Sequence, residues 1–127
     1  MTIDFPDSQK LLSNAKKAGL FDNLVVQLQK DFILANIAID FVGGGEVRQI
    51  TPEELMSVLR EKVYRLIMEK FTDYLNLLYI VDVPEKAFKE IQLTDVVEIA
   101  EQVTLLILKR EYQKVRLKAQ FGQEPNI

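Results

Sequence analysis

Between residues 94 and 119 the chain spells a helix that is apolar on most of its circumference, and such a helix has to be covered on several sides. Stepped at about 100° per residue, Val96, Ala100, Val103 and Ile107 form one apolar stripe. Val97, Leu108, Tyr112 and Val115 form a second, and Ile99, Leu106 and Leu117 a third. What remains is a narrow polar strip of Asp95, Glu98, Gln102, Lys109, Gln113 and Arg116, with Leu105 set into it. Acidic residues lead this helix and basic residues end it, as the helix dipole favours. It is expected to run from Thr94-Asp95 to about Ala119, with residues 120–127 as a frayed tail.

The rest of the chain has to supply the cover. Asp7 is a good N-cap for a short helix from Ser8 to Ala18. Gly19 stands where a left-handed residue closes such a helix, and Leu20 is placed to fold back on the turn. A second helix begins near Asp22. Its apolar stripe is Phe21, Leu24, Val25, Leu28, Phe32 and Ala35, and Asn23, Gln27 and Lys30 lie on the other side. Thr51-Pro52-Glu53-Glu54 combines a Thr cap, Pro at the first helical position and Glu at the third, the signature of a capping box. A long helix is expected from there to about Val81. Its apolar band widens after Tyr64, adding Met68, Phe71, Leu75 and Leu78, so its second half should be the more buried. Glu61, Arg65 and Glu69 form a charge ladder on the opposite side. Asp82-Val83-Pro84-Glu85 ends this helix and starts a short one over 84–91.

Residues 37–50 read differently. Ile37, Ile39 and Phe41 alternate with Ala38, Asp40 and Val42, and then come Gly43-Gly44-Gly45 and Glu46 to Ile50. The pattern suits either a minor β-hairpin or an extended linker. The expected fold is therefore all-α. It is a single domain over residues 1–127, a small bundle of three long and two short helices with a possible hairpin at 37–50.

Several chemistries are excluded by what the chain lacks. It has no His and no Cys among 127 residues, so thiolate metal sites, cysteine nucleophiles and histidine bases are out of reach. Ser8, Ser13 and Ser57 have no nucleophile-elbow context and no histidine to activate them. The glycine triplet is not followed by the Lys-Ser/Thr of a phosphate loop. Carboxylate pairs such as Glu53/Glu54 and Glu98/Glu101 suit helix N-termini and solvated faces better than a metal, and no cofactor or metal is expected. No apolar run approaches the roughly 20 residues of a membrane span. With no cysteine and no basic leader, the expected setting is cytoplasmic.

Two stretches, Tyr74-Leu-Asn-Leu-Leu-Tyr-Ile-Val-Asp-Val-Pro-Glu85 and Leu106-Ile-Leu-Lys-Arg-Glu-Tyr-Gln-Lys114, resemble small helical proteins of bacterial genomes. The resemblance implies no activity, cofactor or site.

The apolar surplus of the last helix has two readings. It is either the central helix of a monomer or part of an interface between copies. Closed twofold dimers are the commonest soluble oligomers, so the expectation is a non-enzymatic interaction module, partnering itself or another protein. Its interface would comprise Leu105, Leu106, Leu108 and Tyr112 with Phe71, Leu75 and Leu78. A second reading is a binder of small apolar ligands between the helices, with Lys70 or a tyrosine as polar anchor. A third is weak binding of nucleic acid or an anionic surface through Lys109, Arg110, Lys114, Arg116 and Lys118. The net charge of −3 and the absence of a groove-reading motif weigh against nucleic acid.

Overall fold

In the computed structural model, residues 5–41, 50–91 and 95–122 are described. They form α1 (Ser8–Lys17), α2 (Phe21–Leu34), α3 (Pro52–Glu69), α4 (Phe71–Val81), α5 (Glu85–Lys89) and α6 (Val96–Gly122), and no strand occurs among them. The fold is all-α, as expected. Residues 37–41 and 50 carry no strand, while 42–49, which hold the glycine triplet, lie outside the described residues. α6 continues through 120–122, so that part of the expected tail is helical, and residues 123–127 lie outside the description.

The caps follow the local chemistry. Asp7 Oδ1 accepts from Lys10 N at 2.8 Å, and Asp95 Oδ1 accepts from Glu98 N at 2.9 Å. At the head of α3, Thr51 Oγ1 accepts from Glu54 N at 3.1 Å, while Thr51 N donates back to Glu54 Oε1 at 3.2 Å. Both bonds of the capping box are thus present. Thr51→Ala is expected to lower the free energy of unfolding by about 1 kcal/mol, a loss that urea denaturation will resolve.

Three helix ends share one closing device. Gly19, Asn36 and Asp82 all take positive φ, at 71°, 59° and 71°. The residue after each then donates its N–H back into the last turn. Leu20 bonds to Ala15 O, Ile37 to Phe32 O and Val83 to Leu78 O, at 2.9, 2.9 and 3.0 Å. That six-residue closure satisfies carbonyls that the helix leaves unpaired. It also turns an apolar side chain inward each time: Ile37 and Val83 are buried, and Leu20 packs on the core.

The expected long helix is broken. Lys70 adopts φ −142° and ψ 66° and separates α3 from α4. No Gly or Pro lies between residues 60 and 80, so no local punctuation marks the break. The packing partners differ on its two sides. α3 lies on α6 and α1, whereas α4 lies on α2 as well as α6. A continuous helix could not re-aim its second half in this way. The described residues therefore form six helices, where five were expected.

Of the four residues expected to widen the buried band, Leu78 is buried, but Met68, Phe71 and Leu75 are not. Leu55, Leu59 and Val63 are wholly buried. Met68, Phe71, Leu75 and Tyr79 are exposed to 57, 55, 44 and 81%. After the break, α4 buries Tyr74, Leu77, Leu78 and Val81 instead.

α6 packs against each of the other five helices. Its Ala100, Val103, Ile107, Leu108, Tyr112 and Val115 lie in a buried cluster with Leu11 and Leu12 of α1, Leu28 and Phe32 of α2 and Leu59 of α3. The neighbours within one copy thus cover most of its apolar circumference. Val97, Leu117 and Phe121 remain exposed.

Candidate functional site

Four polar or charged residues are buried among those described: Gln27, Asp31, Thr104 and Glu111. Thr104 is satisfied by its own helix, donating to Ala100 O at 2.7 Å. The other three meet in one cluster between α2 and α6. Gln27 and Asp31 are one turn apart on α2, and Glu111, Lys114 and Lys118 share one side of α6, so two helical repeats set face to face assemble the group. Lys114 Nζ donates to Asp31 Oδ2 at 2.8 Å, and Gln27 Nε2 donates to the same oxygen at 3.2 Å. Lys118 Nζ donates to Gln27 Oε1 at 2.6 Å.

Glu111 is the odd member. It is wholly buried, and Lys114 Nζ lies 2.9 Å from its Oε1. That distance makes an ion pair, but neither Glu111 oxygen accepts an aligned hydrogen bond. Burial, helped by the neighbouring Asp31 carboxylate and opposed by Lys114, pushes the Glu111 carboxyl up to about 8. Burial pushes Asp31 upward too, but hydrogen bonds from Glu111, Lys114 and Gln27 outweigh it and hold Asp31 below its ordinary value. Burial depresses Lys114, and its two carboxylate partners more than reverse this, so it is raised. Two acids pushed in opposite directions beside one ammonium are electrostatically one unit.

The residues expected to form an anion-binding patch are largely engaged inside the molecule. Lys114 and Lys118 hold the buried cluster. Arg110 donates to Asp82 O, Asp82 Oδ2 and Gln113 Oε1 at 3.1, 3.0 and 2.8 Å. Arg116 lies over the Tyr112 ring, 5.6 Å from its centre. Lys109 is partly buried. The structure does not gather these five cations into one exposed face.

The expected apolar interface is also divided. Leu78, Leu108 and Tyr112 are buried in the core, and Tyr112 donates its hydroxyl proton to Asn14 Oδ1 at 2.7 Å. Leu105 and Leu106 are half-buried, while Phe71 and Leu75 are exposed. Lys70, the expected polar anchor for a ligand, is exposed at the α3–α4 break and lies on no apolar band.

Surface clefts lie elsewhere. An apolar groove of about 420 Å³ runs along the outer side of α2, walled by Val26, Ile33, Leu34 and Phe41, with Gln29 and Lys30 at its edge. A cleft of about 400 Å³ between the start of α1 and α6 is lined by Asp7, Met56, Arg60 and Glu101. Arg60 and Glu101 bond to each other across it at 3.2 Å. Asp31, Glu111 and Lys114 line neither. Among the described residues, no group of three or more acidic side chains is placed to hold a metal ion, and no helix is long and apolar enough to cross a membrane.

No known protein family, curated protein or solved structure matches this chain.

The buried cluster was missed in the sequence. Helical spacing puts Gln27 on the polar side of its helix, and Glu111 is given no role in the sequence reading. The signal for Glu111 was present. Stepped around α6, it falls between the stripe that ends at Ile107 and the one that contains Tyr112, an interior position for a carboxyl group.

Proposed function

We propose that this protein is a non-enzymatic interaction module of a reducing compartment that self-associates, and that its contact surface is the outer side of α4 with the adjoining edge of α2. The observation that carries this reading is the succession of exposed Met68, Phe71, Leu75 and Tyr79 across the α3–α4 joint. Large apolar side chains exposed in a row are characteristic of association surfaces. Val26, Ile33 and Leu34 of α2, the helix that packs beside α4, are exposed as well. Asn76 ties the two helices together, donating to Ala35 O at 3.4 Å beside Leu34.

This surface keeps Phe71 and Leu75 of the expected interface and leaves out its α6 residues and Leu78, since Leu78, Leu108 and Tyr112 are buried. The non-enzymatic part of the reading rests on the chain's lack of His and Cys and on the acid cluster buried among the described residues lining neither of the clefts described above.

Sedimentation equilibrium at micromolar concentration should give the mass of a dimer. The double variant Phe71→Glu/Leu75→Glu should be monomeric and keep the helical content of the parent, because both side chains already face solvent. A parent that sediments strictly as a monomer overturns the proposal, as does a double variant that still dimerises.

A further inference from the structure

We propose that Glu111, Asp31 and Lys114 form a proton-operated clasp between α2 and α6, closed while Glu111 carries its proton and loosened when the proton leaves. The argument starts from the geometry. Lys114 Nζ stands between two carboxyl groups, 2.8 Å from Asp31 Oδ2 and 2.9 Å from Glu111 Oε1. One ammonium faces two acids that are almost wholly removed from water. If both acids are ionised, Lys114 is the one cation among the described residues in direct contact with them, while Lys118, at the exposed edge, is held off behind Gln27, so the interior carries negative charge that is only partly offset, which is costly.

The two acids are not equivalent. Asp31 accepts aligned bonds from Lys114 and Gln27 and is suited to the charged form. Glu111 accepts no aligned bond at either oxygen, so the charged form has little to hold it. As a neutral carboxylic acid, Glu111 leaves Lys114 of α6 and Asp31 of α2 as a matched pair, and their charge-assisted bond joins the two helices. As a carboxylate, Glu111 competes with Asp31 for the same ammonium.

The other elements on α6 spend their polar groups elsewhere. Asn14 of α1 holds Tyr112, Arg60 of α3 holds Glu101, and Asp82 at the end of α4 holds Arg110. Glu85 and Lys89 of α5 pair with each other on the surface. The charged groups that act on Glu111 are therefore Asp31 and Lys114.

The direction of the pH effect follows by linkage. The carboxyl of Glu111 lies above its ordinary 4.5, at about 8, so the folded state binds more protons than the unfolded state across that interval. Stability from this group is complete below about pH 4.5 and is lost as the pH rises towards 8. Asp31, which is lowered, works in the opposite sense, and its contribution is lost only at acid pH.

The test compares the full-length parent, Glu111→Gln and Asp31→Asn. Three measurements are made across this pH range: urea denaturation midpoints, the ¹³C shift of the Glu111 carboxyl, and amide protection factors, which correct for intrinsic exchange. In the parent, the midpoint should fall as pH rises, the carboxyl should titrate near 8, and protection should drop first in α2. In Glu111→Gln, which is neutral at every pH, the midpoint should change less and should exceed that of the parent at the alkaline end. In Asp31→Asn, the carboxyl titration should move to lower pH, because a neighbouring negative charge is gone. Parallel midpoint profiles for the parent and Glu111→Gln would overturn the clasp. So would a Glu111 carboxyl that titrates in the ordinary range, or a loss of protection spread evenly over all six helices. The carboxyl titration of the parent decides the matter even if a variant does not fold.

Discussion

Lys114→Met is expected to destabilise the protein by about 3–5 kcal/mol near neutral pH, the cost of breaking a buried ion pair by removing one partner. The methionine keeps the length of the lysine stem and removes its charge. Asp31 and Glu111 then lie together in the interior with no cation between them. Both carboxyls lose a group that lowers them, so the penalty should grow as pH rises and shrink at acid pH, where Asp31, no longer held down by Lys114, takes up a proton as Glu111 already has. Chemical denaturation at two pH values measures this directly. The companion variant carries Asp31→Leu, Glu111→Leu and Lys114→Met together. It should recover most of the loss, because a buried charge cluster replaced as a whole by apolar side chains is often neutral or stabilising. A Lys114→Met protein as stable as the parent would mean that water reaches the cluster and screens it. A triple variant no better than the single would mean that these side chains matter for their shape and not for their charge.

That cluster shows where the sequence was legible and where it was not. The caps were legible because each rests on residues three or four apart: Asp7 with Lys10, Thr51 with Glu54, Asp95 with Glu98. Gly19 was legible because glycine at that place has few other uses. Asn36 and Asp82 close their helices in the same left-handed way but tolerate that conformation without demanding it, so neither stood out as a closing residue. The break at Lys70 could not be read locally, since it answers to α4 finding α2, a contact between segments far apart in the chain. The exposure of Met68, Phe71 and Leu75 does not depend on the break, because at about 100° per residue all three fall on the side of the helix away from Leu55, Leu59 and Val63, and apolar character alone put them on the buried band. The basic run failed for a related reason. Lys114 and Lys118 follow the apolar line of Ala100, Val103 and Ile107 around α6, and a cation on a buried line finds a buried partner. That partner sits about eighty residues earlier in the chain, and helical periodicity within α6 says nothing of it.

Ile107→Ala should cost about 2–5 kcal/mol, as the removal of a large aliphatic side chain from a packed interior does. Ile107 is wholly buried in the middle of α6, the helix that touches all the others. Leu117→Ala, on the same helix but 45% exposed, should change stability by no more than about 0.5 kcal/mol. The contrast separates the two roles that an all-round apolar helix can have. If α6 is the axis of a single copy, the Ile107 cavity weakens every copy alike, and the loss is the same in dilute and in concentrated solution. If its apolar stripes are instead covered by a second copy, the loss appears as weakened association and shrinks as the concentration rises. Urea denaturation of both variants at two protein concentrations a hundredfold apart distinguishes these outcomes. The expected result is a concentration-independent loss for Ile107→Ala, because within a single copy Ile107 is already wholly buried, in one core cluster with Leu12, Leu28, Phe32 and Leu59. The parent should grow more stable as its concentration rises, and Phe71→Glu/Leu75→Glu, whose residues lie exposed on the outer side of α4, should lose that dependence.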